Sequence, residues 1–219
     1  MGFFDKLFTS SSKPKSYDKY GDVLKKIMTT KDQRLEAIDA LEGLPPENSI
    51  PQLLKRFEIV IDSGLLDNRE KEMCMKIIVT HGTKAHDYIR EALLTQKRLA
   101  WPIKIAEKIF TQEEYIILLL DNLNSNMEVF DEDALARNEE ILLALREIHD
   151  ARIVKKANEF LSCRDENVRM AALECLENQA SKITQAKEII LNLVNTPITD
   201  DNSRFIGVVH EITKKHNWQ

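Results

Sequence analysis

Asp165-Glu-Asn-Val168-Arg169-Met-Ala171-Ala172-Leu173-Glu-Cys-Leu176 decides the fold. An Asp that can cap a helix N-terminus precedes a run whose apolar residues fall at three- and four-residue steps. Val168, Ala172 and Leu176 therefore share one helical face. The same frame returns at Arg34-x-x-Ala37-x-x-x-Leu41, Lys71/Cys74/Ile78, Pro102/Ile105/Ile109, Asn138/Ile141/Leu145 and Phe205/Val208/Ile212. Its central positions 37, 74, 105, 141, 172 and 208 are 37, 31, 36, 31 and 36 residues apart. A period near 34 with a small side chain one turn before a larger one describes repeated helix pairs that interlock.

The intervening segments fit the first helices of such pairs. Glu47-Asn-Ser-Ile-Pro-Gln-Leu-Leu54 and Asp150-Ala-Arg-Ile-Val-Lys-Lys-Ala157 both open polar and continue with an apolar stripe, Pro51 being expected near a first turn. Six glycines, six prolines and no valine-threonine block in 219 residues favour helix over strand. The frame predicts an all-α chain of about twelve helices over residues 17–219, preceded by a head and polar joint over 1–16.

The 165–176 segment resembles the second-helix signature of the HEAT-repeat family, in the short bacterial form also found in phycobilisome-lyase-like repeats. Arg34, Ala37, Leu41, Asp165, Val168, Arg169, Ala172 and Leu176 carry the likeness, whereas Pro102, Asn138 and Phe205 stand where the motif has a basic residue. The resemblance implies a right-handed α-solenoid of about six HEAT-like helix pairs, which would be a non-catalytic protein-interaction scaffold or adaptor. A second expectation is an accessory subunit of a lyase-type enzyme, and a third is a HEAT-like DNA glycosylase.

Composition narrows these readings. The net charge of −5 argues against nucleic acid as the partner, since phosphate binding rests on an excess of Lys and Arg. Charge is uneven, with seven Lys against three Asp over 1–31 and nine acids against Arg137 and Arg146 over 121–150. Cys74, Cys163 and Cys175 lack CxxC spacing, so a reducing, cytoplasmic setting is expected and a zinc site is not. His210-Glu211 with His216 is not the HExxH arrangement, and the one His-Glu pair falls short of the several pairs of the di-iron HEAT-family hydroxylases. No cofactor and no catalytic residue is expected.

Two segments stand out as docking candidates. Phe3, Phe4, Leu7 and Phe8 fall on one side of a short helix, which could fold back on the first repeat, enter a partner's groove or lie in a membrane interface with Lys13, Lys15 and Lys19 near anionic headgroups. The long connection 122–133 interrupts the rhythm, and Met127, Phe130, Asp131, Glu132 and Asp133 could anchor a basic protein partner. Trp101 occupies the frame position of Val168 and reads as core; His81, His86 and His149 read as helix-end residues.

Overall fold

A computed structural model describes residues 17–125, 131–199 and 201–218. Among them are twelve α-helices and no strand. They are α1 (Asp18–Lys25), α2 (Lys31–Glu42), α3 (Pro46–Leu54), α4 (Gly64–Thr80), α5 (His86–Thr95), α6 (Ala100–Ile109), α7 (Gln112–Asn122), α8 (Glu132–Leu145), α9 (Ala151–Asn158), α10 (Glu166–Ala180), α11 (Thr184–Leu193) and α12 (Ser203–Lys215). None is long and apolar enough to cross a membrane.

Local chemistry sets the helix starts. Thr30 and Thr111 close reciprocal capping boxes with Gln33 and Glu114, and the carboxylates of Asp131, Asp150 and Asp165 accept from the N–H of Ala134, Arg152 and Val168. Helix α3 departs from expectation. Pro46, not Pro51, takes its first turn, and Pro51 lies inside the helix, where its missing N–H leaves the Glu47 carbonyl without the usual partner.

The chain gathers into two compact units, Met1–Ile89 and Arg90–Gln219. In the first, α2 packs on α1, α3 and α4, and α3 on both α1 and α4. Gly21 permits the close approach of α1 to α3: a Cβ there would lie 2.0 Å from Gln52 Oε1. Leu24, Ile38, Leu41, Ile50, Leu53 and Ile78 form its fully buried centre.

In the second unit, α6 packs on α8, α8 on α10, and α10 on α12, while α7, α9 and α11 each pack on the helix that follows. The frame positions account for this. Ile105, Ile141 and Ala172 are fully buried, as are Leu145 and Leu176 one turn later. The last helix differs by one residue, because Val209 rather than Val208 is buried beside Phe205 and Ile212. Each fully buried leucine removes apolar surface worth about 1.5–3 kcal/mol from water.

Candidate functional site

The basic position of the repeat frame has a structural task. Arg169 Nη1 donates to the carbonyls of Cys163 and Arg164 at 2.7 and 2.9 Å, tying down the turn that leads into α10. Arg34 Nη1 donates likewise to Thr29 O before α2. Asn138, where the motif lacks its basic residue, bonds the N–H and C=O of Asn124 at 3.1 and 2.8 Å. An amide thus replaces the guanidinium, pinning a preceding segment through one donor and one acceptor. Trp101 is only half-buried, unlike Val168, and the Lys104 ammonium lies 4.5 Å from its ring centroid.

Arg34 also belongs to a buried ionic cluster that no sequence motif announces. Its Nε donates to Glu70 Oε2 at 2.8 Å, and Arg56 reaches the same oxygen at 2.9 Å and Asp67 Oδ1 at 2.7 Å. Lys71 closes the group on Asp67 Oδ2 at 2.7 Å. All five side chains are buried, three cations against two carboxylates, and Glu70 Oε1 has no hydrogen-bond partner among the described residues. Burial opposes ionisation of Asp67, but hydrogen bonds from Lys71, Arg56 and the Ile61 N–H outweigh it and hold its carboxyl below the usual range. Beside the cluster, burial pushes the Cys74 thiol up to about 12, so it is no nucleophile near neutral pH. The cluster can fix α2 and the turn after α3 against α4, but it offers nothing a ligand could approach.

The other histidines and carboxylates follow suit. His81 ends α4, His149 lies in the α8–α9 connection, and His86 opens α5, where a cation would oppose the helix dipole. His216 and Lys215 both bond Glu177, and the His216 ring stacks on Trp218. No cluster of three or more His, Cys, Asp or Glu that could hold a metal ion occurs among the described residues.

Of the sequence-selected docking residues, Phe3, Phe4, Leu7, Phe8, Met127 and Phe130 lie outside the described residues. Asp131, Glu132 and Asp133 form the start of α8: Asp131 is its cap, Glu132 and Asp133 fill its first turn, and Asp133 pairs with Lys97 at 2.5 Å. Arg137, one turn further, donates to Leu93 O at 2.6 Å and also to Gln96 O. The acidic start of α8 is therefore held at the C-terminal end of α5.

That end of α5 borders an apolar recess in the second unit. A groove of about 330 Å³ runs between α5 and α7, with Leu94, Ile117 and Leu118 as its apolar lining and Arg90, Glu114, Asp121 and Asn122 at its edges. Leu94 is 66% exposed and Ile117 43%. On α7, positions 114, 117, 118 and 121 fall on one stripe, so two carboxylates bracket an apolar pair. A second groove, of about 320 Å³ between α7 and α9, shares Asp121 and is more polar. Its Arg152 is held by Glu113 and Asp150, and its Lys156 by Glu159. The exposed apolar pair is hidden in the sequence because Leu94 and Ile117 lie inside apolar runs, one residue past buried Leu93 and Ile116.

No protein-family model matches the chain, and neither curated proteins nor solved structures give a significant match.

Proposed function

We propose that the protein is a non-catalytic helical-repeat scaffold, with HEAT-like stacking of helix pairs inside each unit, and that it recognises a protein partner through the α5–α7 groove. The stacking reading draws support from helices that pack on their first and second successors and from the buried repeat frame. The observation that carries the binding reading is the exposed Leu94–Ile117 pair at the mouth of an apolar groove. Large aliphatic side chains left in water around a concavity gain most when a partner covers them, through the apolar surface removed from water.

The test is purification of the full chain from its native cell beside the double variant Leu94→Glu/Ile117→Glu and the control Leu65→Glu, whose residue is exposed in the other unit. A partner recovered with the wild type and the control, but depleted about tenfold or more by the double variant, supports the reading. Equal recovery with all three proteins contradicts it.

A further inference from the structure

The α5–α7 groove is acidic as well as apolar. Glu114 and Asp121 stand one turn to either side of the Ile117–Leu118 pair, and the start of α8, with Asp131, Glu132 and Asp133, is anchored to the end of α5 that carries Leu94. The single cation on the lining, Arg90, has its guanidinium carbon 4.8 Å from the Phe110 ring centroid. The Asp121 side chain makes no hydrogen bond or ion pair among the described residues, although it also lines the α7–α9 groove with Arg152, Lys155 and Lys156. It occupies the last turn of α7, where the helix dipole disfavours an anion. An exposed carboxylate placed against its own dipole, at the rim of an apolar recess, gains from an incoming cation.

Resting on the docking reading above, we infer that the occupant is an amphipathic helix of a protein partner that carries a large apolar residue and, one turn away on the same face, a Lys or Arg. The apolar side chain inserts between Leu94 and Ile117, and the cation meets Asp121 at the rim. The apolar anchor supplies affinity by excluding water. The exposed ion pair adds little affinity by itself but selects basic over acidic partners and speeds encounter. A helix suits the site because the lining residues of α7 are themselves spaced by turns, so a partner with the same periodicity presents matching contacts.

The experiment is fluorescence anisotropy of two labelled synthetic amphipathic peptides against the full chain, one of leucine and lysine, the other with glutamate at every lysine position. The Leu/Lys peptide is expected to bind with an affinity that falls as salt is added. Leu94→Glu and Asp121→Lys should each weaken it about tenfold or more, while Glu211→Lys, an exposed charge change of the same size on α12, should leave it unaltered. Equal binding of the Leu/Glu peptide overturns the inference. So does equal weakening by Glu211→Lys and Asp121→Lys, which would reduce the effect to bulk charge. If Leu94→Glu abolishes binding of both peptides and Asp121→Lys changes neither, the groove stands as a docking surface and the basic partner falls. If Leu94→Glu leaves both peptides bound, the docking reading falls with it.

Discussion

Arg34 Nε donates to Glu70 Oε2 at 2.8 Å across 36 residues of sequence, so the basic frame position of α2 is neutralised by a carboxylate of α4. Arg56 converges on the same oxygen. Glu70 thus bridges two buried guanidinium groups, of which Arg56 is shared with Asp67.

Removing that anion leaves buried cations without compensation. Glu70→Gln is expected to destabilise the fold by about 3–5 kcal/mol, as for other buried pairs broken from one side. Urea denaturation checks this. A loss under about 1 kcal/mol would show that Asp67 or water takes over the role of Glu70.

The same cluster makes a pH prediction. Asp67 is held below the usual carboxylate range when folded, so its ionised form contributes stability above its unfolded value of about 3.9, and that contribution is lost as pH falls through the lower folded value. Asp67→Asn should therefore be less stable than wild type at neutral pH, with the gap narrowing below about pH 4. A gap that stays constant from neutral pH to below that point would contradict the assignment.

Exposure separates two leucines of similar sequence context. Leu176 is fully buried in α10, and Leu176→Ala should cost about 2–5 kcal/mol through lost burial and the cavity left behind. Leu94, on the groove, should tolerate Ala within about 0.5 kcal/mol. Thermal unfolding of both variants checks the pair; equal losses would mean that Leu94 is a core residue.

Asn138 tests the idea that the frame position pins the preceding segment. Asn138→Ala leaves the Asn124 N–H and C=O without their side-chain partner and should cost about 1–3 kcal/mol. Faster hydrogen exchange at Asn124 in the variant is the local readout, and unchanged exchange there would contradict the role.

The helical periodicity was legible because burial of Ala37, Leu41, Ala172 and Leu176 depends on spacing alone, and spacing is written in the chain. The ionic cluster was not. Its partners are separated by 36, 14 and 11 residues, and Arg, Lys, Asp and Glu default to the surface in any local reading. The groove was masked by composition: Leu94 and Ile117 stand one residue past buried Leu93 and Ile116 inside apolar runs, where an unburied aliphatic does not stand out from its neighbours. The acidic stretch 131–133 was visible as charge, but its role as cap and first turn of α8 depends on where that helix starts.

The most direct test of the groove as the docking surface is backbone hydrogen exchange of the full chain, free and in the complex recovered from its native cell. Protection gained at residues 90–95 of α5 and 112–122 of α7, and absent in the Leu94→Glu/Ile117→Glu variant mixed with the same partner, is the result the account predicts. Protection confined to other helices, with exchange at α5 and α7 unchanged by the partner, would contradict it.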